Sequence, residues 1–375
     1  MSPPPPEQRL TQALKRTALY QTHLELKARM MPFAGWEMPI QFAGILAEAR
    51  AVRGGSGIFD VSHMGRLYLS GSDATALLDW VLTASVVTLQ PDRSRYTLLL
   101  NQQGGIIDDG IVYRLGEQKF LLVCNAANRP PVVSWLHQWS RERFPQVAME
   151  DRTEETVMVA LQGPETPALL ESLSGNALSA LRPFTCAVGE VAGKSALVGR
   201  TGYTGEDGFE LIVPWQAGPP LWRALMERGA QPCGLGARDV LRLEAGLLLH
   251  GSDTDQTTTP LEAGLERFVR LEKGEFVGSS ALLRQQQEGL QRRLVGFVIQ
   301  GQGVARHGYP LLVQGQPVGA VTSGTYSPTL DRSIGLGYVR VEYATSGQSL
   351  QVDIRGRQVE AQVTPLPFYS RKRTS

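Results

Sequence analysis

Apolar positions along this chain change rhythm several times. Tyr96 to Leu100, Ile106 to Tyr113 and Phe120 to Cys124 are apolar runs split by short polar or glycine-rich breaks. That pattern predicts three consecutive antiparallel strands, the first two joined by a turn over Asn101 to Gly105. Helical spacing predicts helices over Phe42 to Arg53, Ala74 to Leu82, Pro164 to Leu173, Ala237 to Leu249 and Ser279 to Gln291. A further helix is expected over Ala126 to Phe144, interrupted near Pro130-Pro131. Val157 to Leu161 and Gly208 to Val213 read as strands. From Leu294 onward, short β-rich runs alternate with glycine and proline turns, which predicts a small antiparallel barrel or roll of about eighty residues. Two mixed regions, about 15–150 and 151–275, therefore precede an all-β region, and the fold class is α+β.

The aspartates of the second run break its pattern. Aspartate is depleted in strands, and the adjacent Asp108 and Asp109 must point to opposite faces. Counting by twos, Ile107, Asp109, Ile111 and Tyr113 share a face, which sets one carboxylate among bulky apolar neighbours. The competing reading leaves both carboxylates solvated at the hairpin mouth. In Arg200 to Glu210, three glycines surround Tyr203 and the acids Glu206, Asp207 and Glu210. Alternation places Glu210 beside Gly208 and Ile212, facing inward; a tight turn with solvated acids is the alternative. Gly234-Leu235-Gly236-Ala237-Arg238-Asp239 opens a helix. It lacks the third glycine and preceding buried strand of a dinucleotide fingerprint. Arg238, in the first turn, opposes the helix dipole and calls for an anionic partner, either a ligand or a structural acid such as Asp239 or Glu210.

Composition narrows the chemistry. The net charge of +1 supplies no global field for nucleic acid or an acidic membrane. Cys124, Cys186 and Cys233 are scattered and odd in number, which favours a reducing compartment over a disulfide framework. The five histidines form no ligand cluster, so no metal is expected. There is no phosphate-binding loop, and Asp60-Val61-Ser62-His63 is too compact for a nucleophilic relay. Asp60 and Ser62 are expected to satisfy backbone groups, with Met64 in the core or lining a pocket. Met1 to Pro6 reads as an extended leader without a secretory signal. Inward carboxylates, an isolated arginine and tyrosines suit a flat, polar heterocycle with an acidic tail. A pterin fits, though purines and flavins fit nearly as well.

Several segments, in this order, resemble the glycine cleavage system T-protein (aminomethyltransferase) family. They are Phe33-Ala34-Gly35-Trp36-Glu37-Met38-Pro39, Phe59 to Met64, Gly104 to Asp109, Gly202 to Glu210, Gly234 to Asp239, Thr322 to Leu330 and Pro367-Phe368-Tyr369. The resemblance spans about residues 15–370. It implies a three-domain, folate-binding α+β fold around a central channel. The expected boundaries are a leader over 1–14, a first α+β domain over 15–60 and 150–278, a second over 61–149, and a C-terminal β-barrel over 291–372. It also implies transfer of the one-carbon unit from the aminomethyl-dihydrolipoyl H-protein to tetrahydrofolate. Asp109 matches the family's catalytic aspartate, and Glu210 and Arg238 its folate-binding pair. Tyr96, Met64, Tyr113, Asn125 and Tyr203 match positions lining the folate site. The implied partners are lipoylated H-protein and tetrahydrofolate, without nucleic acid or membrane, in the cytoplasm or alternatively the mitochondrial matrix. The alternatives are a folate-binding relative in iron–sulfur cluster maintenance, whose Lys-Gly-Cys-Tyr-x-Gly-Gln-Glu signature is missing, and a non-catalytic folate-binding module.

Overall fold

The structure is a computed structural model that describes residues 13–371, so residues 1–12 of the expected leader lie outside the described residues. Among the described residues, three large β-systems and a two-stranded sheet of Arg29–Phe33 and Trp36–Gln41 organise the chain. A six-stranded sheet runs in the order Cys186–Val191, Lys194–Gly199, Gly208–Pro214, Thr156–Gln162, Gly57–Asp60 and Gln231–Cys233, with only the last pair parallel. A five-stranded antiparallel sheet has the order Arg93–Leu100, Ile106–Gly116, Lys119–Cys124, Gly65–Ser70 and Ala148–Asp151. The expected C-terminal roll is a closed six-stranded antiparallel barrel between Arg292 and Thr364. The last strand of the five-stranded sheet overruns the boundary expected at 149/150. Residues through Asp151 still pair with Leu67 to Ser70.

Alternation along the strands builds the layers. Val157, Val159, Leu161, Phe209, Leu211 and Val213 face helices Thr166–Ser174 and Gly218–Glu227, burying Leu170, Leu221 and Trp222. The opposite face of the same strands, with Met158, Ala160 and Ile212, meets Tyr113, Leu121 and Val123 of the five-stranded sheet. The two sheets thus share an inner core, closed by helices Ile45–Gly54 and Leu235–Glu244. Leu98, Leu100 and Ile106 continue into a third cluster with barrel residues Leu294, Ile334 and Leu336. Burying such side chains is worth about 1.5–3 kcal/mol each, so these shared cores hold the three systems together. Among the described residues, no helix is long and apolar enough to cross a membrane.

The helices depart from sequence expectation mainly at their ends. The first begins at Ile45 rather than Phe42, because the Glu48 carboxylate accepts the Phe42 and Gly44 N–H groups at 2.6 and 2.9 Å and makes a turn of them. Pro130 and Pro131 do not interrupt a helix but start one, Arg129–Arg143, where a missing N–H costs nothing. The Leu235–Glu244 helix stops five residues before Leu249; Gly246, at φ +65°, turns the chain out.

Candidate active site

The aspartate hairpin is built around two close approaches. Asn101 closes its turn by accepting the Gln103 and Gly105 N–H groups on its side chain. A Cβ on Gly105 would lie 1.8 Å from the Gln256 carbonyl, and one on Gly110 would lie 2.3 Å from the Val123 carbonyl. Between them the strand carries a bulge. Leu99 pairs with Asp108 but Leu100 with Ile106, leaving Ile107 as the extra residue. This corrects the face expected from simple counting. Ile107 joins Leu99 and Val112 under the outer helices, while Asp109 keeps the inner side with Ile111 and Tyr113.

Neither aspartate is solvated at a hairpin mouth. Asp108 is fully buried. Its carboxylate accepts the Asn125 N–H at 3.0 Å, the Asn125 amide at 2.8 Å and the Asn128 amide at 2.6 Å. Asp109 accepts the Asn125 amide at 2.9 Å and the Tyr96 hydroxyl at 3.0 Å. Asn125, just past the Lys119–Cys124 strand, thus clamps both carboxylates with one side chain. Burial, and then the neighbouring Asp109 charge, push Asp108 up to about 7 against the amides of Asn128 and Asn125. Burial also raises Asp109, opposed by Tyr96, His250 and Asn125. The pair holds protons more tightly than ordinary carboxylates.

Glu210 and Arg238 approach the inner core from the six-stranded sheet and its helix. Glu210 is 9% exposed. Its Oε2 accepts the Thr201 hydroxyl at 2.6 Å and the Tyr113 hydroxyl at 3.4 Å, and Oε1 has no protein partner among the described residues. Tyr113 is wholly buried, and its hydroxyl also meets Thr201 at 2.8 Å. The Arg238 guanidinium stacks 4.8 Å from the Tyr203 ring centroid, and its Nη1 is buried without a hydrogen-bond partner among the described residues. Asp239, the structural partner weighed from sequence, pairs instead with Arg242 at 2.8 Å. Burial lowers Arg238, with the Glu210 charge opposing. Tyr203 donates to the Leu248 carbonyl and feels both Asp109 and Arg238. Met64 is half-buried in the inner cluster. The eight residues read from sequence therefore lie about one region where both sheets and the Leu235–Glu244 helix converge. A separate groove of about 450 Å³ lies at the barrel edge, lined by Asp255, Arg292 and His307 among others, and contains none of them.

Some of the polar framework is not legible in the sequence. Asn128 and His250 extend the aspartate cluster, with the Asn128 amide 2.8 Å from His250 Nδ1. The spacing of Asn125 and Asn128 across a strand-to-helix turn is a signal of sorts, but His250 carries none. His63 is buried against Phe33, and its Nδ1 has no partner among the described residues. Burial, with Arg238 and Arg66 assisting and Asp60 opposing, pulls it down to about 3, so it is neutral at physiological pH. Asp253, given no role from sequence, anchors Arg242 at 2.6 Å and accepts the Leu249 N–H and the Thr322 hydroxyl, tying this helix to the barrel.

The family model described as the GCVT N-terminal domain matches residues 19–273, and that of the glycine cleavage T-protein C-terminal barrel domain matches residues 292–370. The chain belongs to the glycine cleavage T-protein family of aminomethyltransferases. It is 50% identical over 361 residues to an aminomethyltransferase of Rubrobacter xylanophilus, covering 96% of this chain and 95% of that one. It is 45% identical to the aminomethyltransferase of Thermosynechococcus vestitus, with 98% of each chain covered. The crystal structure of the glycine cleavage system aminomethyltransferase T from Bartonella henselae superposes with a TM-score of 0.89. Identity is 36%, over 95% of this chain and 98% of that one. The chain is thus an aminomethyltransferase of T-protein architecture, with two mixed α+β units and a barrel.

Proposed function

We propose that the converging groups bind tetrahydrofolate and pass to it the one-carbon unit of aminomethyl-dihydrolipoyl H-protein. The products are 5,10-methylenetetrahydrofolate, ammonia and dihydrolipoyl H-protein. The observation that carries the reading is that Arg238 Nη1 is buried without a partner among the described residues and Glu210 Oε1 is likewise left open, while Tyr203 lies within electrostatic reach of both Arg238 and Asp109. Pterin ring N–H groups are donors for Glu210 Oε1, and an acceptor oxygen of folate satisfies Arg238. Met64, Tyr96, Tyr113, Asn125 and Tyr203 complete the lining, Tyr113 by fixing Glu210 from behind and Asn125 by fixing Asp109.

Asp109 is the catalytic group in this reading. The C–N and C–S bonds of the aminomethyl carbon both break as positive charge develops there. Two folate nitrogens bond to it and lose a proton each, and those protons leave with ammonia and the dihydrolipoyl thiol. A fixed carboxylate on the inner face stabilises that charge or accepts one of those protons. Burial serves both roles, since a raised carboxylate is a better base and its field is less screened. The lipoyl arm is a long tether, so H-protein contact need only be small. The free, scattered cysteines support a reducing, cytoplasmic setting. Sheet membership supports a division into 15–60 with about 152–278, 61–151, and 291–372.

The test is to mix the protein with aminomethyl-loaded H-protein and tetrahydrofolate and measure both products. Ammonia and methylenetetrahydrofolate should appear in equal amounts. Tetrahydrofolate binding without either product would replace this reading with that of a folate-binding module.

A further inference from the structure

Three elements far apart in sequence meet behind the aspartate pair: the Ile106–Gly116 strand, the Ala126–Asn128 turn and the loop that follows the Leu235–Glu244 helix. His250, on that loop, is the link. Its Nε2 lies 3.0 Å from the Ile106 carbonyl, which can only accept, so Nε2 carries the hydrogen. In the neutral ring Nδ1 is then an acceptor, and it faces Asn128 Nδ2 at 2.8 Å. The same Nδ2 lies 2.6 Å from Asp108 Oδ1, and a carboxylate oxygen facing an amide selects its nitrogen. Both hydrogens of the Asn128 amide are therefore committed, one to His250 and one to Asp108. Asp108 Oδ1 also receives the Asn125 amide, which is shared in turn with Asp109 Oδ1.

Resting on the folate-transfer reading, we propose that His250 is a positioning residue for the reaction. It holds the Asn128 amide as a donor to Asp108, and through Asn125 it fixes the orientation of Asp109. Without the Nδ1 acceptor one Asn128 N–H is left unpaired, and the amide is free to rotate away from Asp108 toward another acceptor. Asn125 then loses its defined position, and Asp109 with it. His250 also joins the loop after the Arg238 helix to the aspartate strand, so the folate side of the site and the reacting side keep register. The charged groups facing it are Asp108 and Asp109 on that strand. Asp253, in its own loop, is occupied by Arg242.

The variants are His250→Phe, which keeps a ring and removes both nitrogens, Asn128→Ala, and the double variant. Each is assayed with aminomethyl-loaded H-protein and tetrahydrofolate across pH, with melting measured alongside. His250→Phe should lower kcat about tenfold, the scale of a misplaced catalytic group, with the KM for tetrahydrofolate little changed. The acid limb of kcat should move to higher pH, because Asp109 loses the Asn125 hydrogen bond that opposes its rise. Asn128→Ala should lower kcat similarly, and the double variant should be no worse than either single one. Losses that multiply in the double variant, or a lower melting temperature with normal kcat and pH profile, overturn the proposal. If His250→Phe does not fold, Asn128→Ala decides by itself: a lowered kcat with the acid limb moved to higher pH supports the proposal, and a normal kcat and pH profile overturn it. A wild-type protein that makes no methylenetetrahydrofolate overturns the functional reading and this proposal with it, a result confined to neither variant.

Discussion

Asp60 and Asp108 are both buried carboxylates on strands, the second with half-buried Asp109 beside it, yet their surroundings drive them in opposite directions. Asp60 accepts the Thr17 hydroxyl at 2.6 Å, His23 Nε2 at 2.9 Å and the Ser62 N–H at 2.9 Å. Burial pushes it up, but His23, Ser62 and Thr17 together outweigh burial and hold it at about 2. At Asp108 the neutral amides of Asn125 and Asn128 do not overcome burial and the adjacent charge, and the group rises to about 7. Burial by itself thus does not make a carboxylate reactive. What matters is whether its partners settle the charge or leave it costly, and only the second arrangement leaves an acid for chemistry.

Exchanging each carboxylate for its amide should separate the two cases. Asp60→Asn removes the charge that His23, Thr17 and Ser62 converge upon. It should cost about 3 kcal/mol in chemical denaturation, at the low end for a broken buried pair, while the folded fraction turns over normally. A large loss of kcat in fully folded Asp60→Asn would erase the distinction. Asp109→Asn should do the reverse. Its kcat should fall at least about 100-fold, the lower end for a positioned acid–base group, with folate affinity and melting temperature little changed. Near-normal turnover would remove Asp109 from the chemistry.

Stability against pH sharpens the contrast with a smaller effect. The folded-state value of Asp60 lies below the ordinary 3.8, so its contribution is present above that value and is lost as pH falls toward 2. Asp108 is raised above 3.8, so the folded state keeps a proton that the unfolded chain releases, and stability declines as pH rises from about 4 to 7. Asp108→Asn should remove about 2 kcal/mol of that decline between pH 5 and 7. An identical pH slope in wild type and Asp108→Asn would show that the raised value is not expressed.

Most of the inner face of the site could be read from alternation. Glu210 with Ile212, and Asp109 with Ile111 and Tyr113, lie where a period of two places them. Ile107 does not, because a bulge is a property of the pairing between two strands and leaves no mark in either alone. Helix ends were misjudged where side chains decide them, as at Glu48, or where Pro130 and Pro131 serve as starts rather than breaks. The Arg238 requirement for an acceptor was legible from the helix dipole. The absence of a protein acceptor was not read, although Asp239 and Arg242 lie three apart on one helix and so are neighbours on its surface. Asp108, Asn128 and His250 come together across 142 residues of chain, from 108 to 250, and no local pattern announces a contact of that separation.

The most direct measurement is the pH dependence of kcat in the wild-type protein, with both substrates saturating and the chemical step rate-limiting. Catalysis by an ionised Asp109 raised through burial predicts activity that falls as pH falls, on a limb above the ~4 of an ordinary carboxylate. The same limb should persist in Asp60→Asn. A kcat that stays flat down to the acid unfolding of the protein would contradict a raised, charge-bearing aspartate as the reacting group.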